Sequence, residues 1–248
     1  MKPMYVICFY WEGERWQTRE GIEQPTDPAY IRHLQRAGNT PKELPSRYVN
    51  NLFRGVSRFA SQEFKFVCFT NEPMEVDPGV EIRPFNLVTT KGVLPRLHMF
   101  SEEAGLFGHQ VLCLDLDVVV VGDMEPLMKY DGLFCARSKF LPREQHKLDG
   151  DIMSFRAGPE AEAIFWTPFI ADVPGNVQFT QGRERYWVRK VAGDIADRWD
   201  VQAPSAVLSV KWHMRGRQEV PKGAVIISCH GFPRPHQVKD EWIKKYWS

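Results

Sequence analysis

The chain lacks the features that most often place a protein at a membrane. No run approaches the roughly eighteen consecutive apolar residues that a membrane-crossing helix needs, and no basic-then-apolar leader follows Met1. A cytoplasmic protein with no integral membrane segment is therefore expected. Net charge is scarce as well. The 32 Lys and Arg nearly cancel the 31 Asp and Glu, leaving a formal +1, so no overall field recruits nucleic acid or an anionic surface. Any anion has to be bound locally. The five cysteines, Cys8, Cys68, Cys113, Cys135 and Cys229, sit singly inside apolar runs with no Cys-x-x-Cys pair. They read as small buried hydrophobes in a reducing compartment. Repeats, low-complexity tracts and Pro/Gly/Ser-rich linkers are missing too, which leaves a single domain over 1–248.

What is present is an alternation of strands and helices. MYVICFY at the start is apolar and rich in β-formers, as in a strand covered on both faces. Residues 11–45 then lose periodicity and read as a long irregular insertion, with one short helix near 30–36. Val49, Leu52, Phe53, Val56 and Phe59 recur at steps of three and four, the spacing of an amphipathic helix. FKFVCFT and EIRPF read as strands, and PRLHMFSEEAG as a helix opened by Pro95. VLCLDLDVVVV, residues 111–121, is the strongest strand signal. GLFCAR, DIMSF, SAVLSVKWH and AVIISCH add later strands, and GPEAEAIFWTPFIA a helix. The order argues for an α/β fold with a mostly parallel sheet, and ligands in such sheets bind beyond the carboxyl ends of the strands.

Two carboxylates, Asp115 and Asp117, interrupt the strongest strand two residues apart, which period-two geometry puts on one face. Bare buried anions are costly, by several kcal/mol each in order of magnitude. A hard divalent cation, Mn²⁺ or Mg²⁺, is the economical neutraliser. The plain alternative is a strand that ends at Asp115, with both acids solvated or capping a turn. His230 follows another apolar run, and as a neutral imidazole it would complete an Asp/Asp/His set; the plain alternative is a satisfied core or loop histidine.

The segments YVNNLFRGVSRF, FKFVCFTNEP, PRLHMF, VLCLDLDVVVVGDMEPL, SVKWHMRG and SCHGFPRPHQVKDEW resemble those of bacterial and phage glycosyltransferases of the GT-A fold, a set similar to glycosyltransferase family eight. The likeness implies one GT-A domain with a Rossmann-like, mostly parallel sheet and a tail at 230–248 packing on the active site. It implies a nucleotide-sugar donor, a UDP-sugar, with Asp115, Asp117 and His230 holding the metal against the diphosphate. Tyr10, Trp11, Tyr48, Asn50 and Thr70 would surround the nucleoside. Arg96, Lys211, Gly231 and Arg234 would attend the phosphates and the sugar. The acceptor would be a carbohydrate or another hydroxyl compound.

The chain departs from that pattern at Leu148-Asp149-Gly150-Asp151-Ile152-Met153 and at Gly182-Arg183-Glu184-Arg185. Asp151, then Asp149, are the catalytic candidates, with Glu184 as a substitute. The other readings are a haloacid-dehalogenase-type phosphatase, which generally carries its Asp-x-Asp on the first strand, and a non-catalytic nucleotide- or glycan-binding module or structural phage protein.

Overall fold

The computed structural model describes residues 3–11, 44–231 and 233–248. The short helix expected near 30–36, and nearly all of the 11–45 insertion, lie outside the described residues.

Among the described residues a seven-stranded sheet runs in the order β3-β2-β1-β4-β7-β6-β8. Its strands are β1 (Met4–Phe9), β2 (Phe64–Phe69), β3 (Val80–Arg83), β4 (Gln110–Leu114), β6 (Phe134–Ser138), β7 (Leu148–Arg156) and β8 (Asp197–Arg198). The half from β3 to β4 is parallel, β7 runs antiparallel to both β4 and β6, and β8 is parallel to β6. β1 explains the layering. Tyr5, Ile7 and Phe9 face one core while Met4, Val6 and Cys8 face the other, as period-two geometry requires of a strand covered on both sides. All five cysteines are buried and unpaired, as read from their apolar settings.

One core is closed by a 3-10 helix at Leu94–Phe100 and by helical segments between residues 159 and 192, including α2 (Val173–Thr180) and α3 (Glu184–Ala192). Pro95 does stand at the start of the 94–100 helix, but the turns are 3-10 rather than α. The other core is closed by α1 (Leu44–Phe59), which buries Val49, Leu52 and Val56 as its spacing foretold.

The strongest strand signal is not one strand. β4 stops at Leu114, Asp115 to Asp117 form a turn, and β5 (Val118–Val120) leaves for a second sheet of order β5-β10-β9, with β9 at Val207–Ser209 and β10 at Ile226–Ser228. The physical reason lies in the acids. A strand buried on both faces has no place for two carboxylates, so the chain breaks there and each apolar half finds its own sheet. The same-face expectation for Asp115 and Asp117 therefore fails, and the turn, the plainer reading, is what forms.

Glycine at position 92 joins two of these layers. Gly92 has φ +56°, and a Cβ placed on it would lie 2.2 Å from the carbonyl oxygen of Gly182, the oxygen that accepts a 2.9 Å bond from the Val93 amide. This close approach sets α3 against the 94–100 helix. Gly92→Ala is expected to cost about 1–2 kcal/mol through the left-handed backbone alone, read as a lowered urea midpoint at unchanged slope.

Candidate active site

Crossovers leave β1 toward β2 and β3 on one side and reach β4 on the other, so the parallel half reverses its winding between β1 and β4. Open α/β sheets bind ligands in the crevice at such a reversal. Tyr10 and Trp11 follow β1 there, Thr70 follows β2, and Asp115 follows β4.

Beside Asp115 stands Arg96, buried to 5% exposure. Its Nη1 lies 2.5 Å from Asp115 Oδ1 and donates to Glu184 Oε1 at 2.8 Å. Its Nη2 donates to the Gly150 carbonyl at 3.0 Å and to Cys113 Sγ at 3.2 Å. The 94–100 helix, β4, β7 and α3 thus converge on one guanidinium. Burial pushes the Glu184 carboxyl up to about 8, against the pull of Arg96, and neighbouring Asp115 and Asp149 push the same way. Its Oε2 is buried with no hydrogen-bond partner among the described residues. Burial also lifts Asp115 to about 6 despite Arg96.

Asp149 and Asp151 are presented by an irregularity in β7. The β6–β7 register jumps from Ala136–Met153 to Arg137–Asp149, leaving Gly150, Asp151 and Ile152 without β6 partners. Bulges commonly re-aim side chains next to a site. Asp151 Oδ1 accepts from Arg137 Nε at 2.8 Å, and Oδ2 accepts from Arg137 Nη2 at 3.0 Å and from Ser228 Oγ at 2.7 Å. Burial would raise this carboxyl, but Arg137 and Ser228 outweigh it and hold Asp151 below the usual carboxylate range. Asp149 is looser, 3.3 Å from Arg137 and 3.8 Å from Arg185. Arg137, which sequence reasoning missed, is 3% exposed and lies with its guanidinium carbon 3.7 Å from the Phe140 ring centre. Nothing in the local pattern CARSKF marks it; only the register jump brings it opposite the acids.

Asp117 sits on the far side of the turn. Arg234 Nη1 from the C-terminal segment pairs with Asp117 Oδ2, while Asp117 Oδ1 is buried without a partner among the described residues. The Cys229 amide donates to the Asp117 carbonyl at 2.9 Å, so the segment carrying His230 does reach this turn. Yet His230 Nε2 bonds Ser209 Oγ at 2.8 Å, and its ring stacks on Phe140 at 5.2 Å. Burial and Lys211 lower its pKa to about 4, so the imidazole is neutral. Gly231 (φ +74°) passes so close to Lys211 that an added Cβ would lie 2.8 Å from Nζ.

The fit to Mn²⁺ or Mg²⁺ can be tested on these contacts. Asp115 Oδ1 and Asp117 Oδ2 each face an arginine, and His230 Nε2 faces a serine. Among the described residues no three His, Cys, Asp or Glu side chains are gathered to hold a metal ion. The Asp115, Asp117 and His230 set is not assembled as a cation cage in this arrangement.

Two nucleoside candidates are used elsewhere. Tyr48 bonds His236 Nδ1 at 2.6 Å and packs edge-on to Trp247, and Asn50 holds the 75–77 loop through the Asp77 amide at 2.8 Å. Thr70 Oγ1 accepts from the Glu72 amide. Next to Arg137 and Phe140 a cavity of about 410 Å³ opens, lined also by Trp199, Asp200, Leu208 and His213.

No protein-family model matches the sequence, and no curated protein matches it by sequence. Solved structures are. Galactosyltransferase LgtC in complex with donor and acceptor sugar analogs superposes with a TM-score of 0.60 at 10% identity, over 98% of this chain and 94% of that one. Glycosyltransferase GlyE of Streptococcus pneumoniae TIGR4 gives 0.56 at 11% identity over 94% of this chain, which spans 56% of GlyE. Mouse xyloside xylosyltransferase 1 gives 0.52 at 8% identity, over 93% and 98%. At such identities the likeness speaks for architecture. The chain has the GT-A glycosyltransferase fold.

Proposed function

We propose that the protein is a glycosyltransferase, one GT-A unit that moves a sugar from a nucleoside-diphosphate donor, a UDP-sugar, to a hydroxyl of a carbohydrate or other acceptor. One observation carries this reading: arginines and carboxylates from separate elements converge at the crevice where the parallel strands reverse their winding. Transfer breaks the bond between the anomeric carbon and the phosphate oxygen, whose electron pair leaves with the diphosphate. A new bond forms to the acceptor oxygen, and the acceptor proton passes to a basic oxygen. Preorganised cations at the leaving group lower that barrier because the charge there grows along the reaction.

In this reading Tyr10, Trp11 and Thr70 border the nucleoside, and Arg96, Lys211 and Arg234 face the diphosphate. Asp149 is the substrate-facing carboxylate. Asp151, with both oxygens engaged, fixes Arg137. The cavity beside Phe140 takes the acceptor, and its aromatic walls suit the apolar face of a sugar ring.

Thermal unfolding with UDP, GDP, CDP, ADP and TDP, each in Mn²⁺ and in EDTA, tests the donor half. A ligand bound only by the native state raises the midpoint. UDP is expected to do so in the wild type. If no nucleotide shifts the midpoint under either condition, the donor reading falls and a non-catalytic module takes its place. Asp149→Asn is expected to keep the UDP shift while losing most transfer, on the order of a hundredfold; an unchanged rate removes Asp149 from that role.

A further inference from the structure

We infer that Arg234 occupies the seat on Asp117 that a divalent cation would take, so that this site binds the donor diphosphate through that arginine and without a metal. The inference rests on the donor reading above.

The first ground is charge. Five carboxyl groups line the site: Asp115, Asp117, Asp149, Asp151 and Glu184. Each has a guanidinium within ion-pair distance, Arg96 for Asp115 and Glu184, Arg137 for Asp149 and Asp151, Arg234 for Asp117. A metal is called for by acids that need a positive neighbour. Here the neighbours are built into the chain.

The second ground is that Arg234 is delivered by a fastened segment. Its backbone amide donates to Gln237 Oε1 at 3.0 Å and its carbonyl accepts from the Gln237 amide at 2.8 Å, within a short 3-10 turn opened by Pro235. The next residues are tied to α1 through His236 and Tyr48 at 2.6 Å, Trp247 and Asn51 at 3.3 Å, and Arg47 over the Trp247 ring at 4.7 Å. An arginine held this way is in place before any ligand arrives.

The third ground is donor capacity. A guanidinium has five N–H groups in a planar fork. Only Nη1 of Arg234 is committed to Asp117, and the side chain keeps 35% of its exposure. The remaining fork can grip two phosphate oxygens, the geometry in which arginine outperforms a point charge. Asp117 Oδ1, buried and unpartnered among the described residues, is left to accept from a donor hydroxyl.

The test follows Mn²⁺ by the electron paramagnetic resonance of the free ion, with and without UDP, alongside the UDP thermal shift in EDTA and in Mn²⁺. For the wild type, the protein is expected to remove no Mn²⁺ beyond what UDP alone complexes, and the UDP shift to be equal in the two media. Arg234→Gln is expected to lose roughly tenfold in UDP affinity in EDTA, the scale of one charge-assisted hydrogen bond, and to gain Mn²⁺ binding at the vacated Asp117. Arg234→Lys, which keeps the charge, controls for folding and is expected to stay indifferent to metal. Mn²⁺ binding by the wild type that Asp117→Asn abolishes would overturn the inference, as would a UDP shift that EDTA removes. Should UDP fail in both media, the donor reading falls, while the Mn²⁺ titration of wild type and Arg234→Gln still decides who owns the seat.

Discussion

Arg96→Met is expected to lower stability by about 1–3 kcal/mol near pH 7, the cost of leaving the buried groups it holds without their hydrogen-bond donor, and to abolish transfer. Burial is what makes the effect large. Arg96 side-chain exposure is 7% and that of Glu184 is 4%, so water cannot replace the lost guanidinium at Glu184, and Gly150 loses a carbonyl partner as well. Lysine is not expected to rescue the variant. Its single ammonium cannot reach Asp115, Glu184, Gly150 and Cys113 from one planar group. Urea denaturation of wild type, Arg96→Met and the double variant with Glu184→Gln gives the coupling directly. A loss below about 1 kcal/mol would show that the guanidinium is not the post this site is built on.

Glu184→Gln is expected to flatten the neutral limb of the stability curve and to leave the protein about 4 kcal/mol more stable than wild type at pH 8. The folded carboxyl is held up at about 8, against an ordinary value of 4.5. Between those values the unfolded chain releases the proton while the folded chain retains it, so the native state binds more protons and stability falls as pH rises. Below about 4.5 both states are protonated and the two proteins should agree. Asp115, also raised by burial, adds a slope of the same sign at lower pH in both. Parallel curves for wild type and Glu184→Gln between pH 5 and 8 would mean that Glu184 ionises freely.

Periodicity located the elements that have a clean signal. Val49, Leu52 and Val56 marked α1, the β-rich runs marked β1 and β2, and Gly-Pro marked the helical stretch from 159. The GT-A architecture was legible through the resemblance of several segments taken together. What periodicity obscured was the break at Asp115, because VLCL and VVVV join into one apparent strand when pairing is invisible. Helices α2 and α3 were missed for a related reason. VPGNVQFT carries Pro and Gly and little amphipathic contrast, and ERYWVRKVA is dense in charge. Arg137 and the seat of Arg234 depend on register and on contacts across more than a hundred residues, which no local pattern encodes. Arg96, expected at the phosphates, pairs with Asp115 instead, and His230 turns toward Ser209 and Phe140.

The break between β4 and β5 has a mechanical side. Asp115 is anchored to the large sheet, its amide bonded to the Asp151 carbonyl at 2.9 Å, while Asp117 is anchored to the small one through Cys229. A diphosphate gripped by Arg234 and seated against the turn that Asp115 fixes to the large sheet would work as a rivet through two plates. Ligand occupancy would then be felt as stiffness across the seam, with the amides of β9 and β10 slowing their exchange in step with those of β4 although none of them touches the ligand.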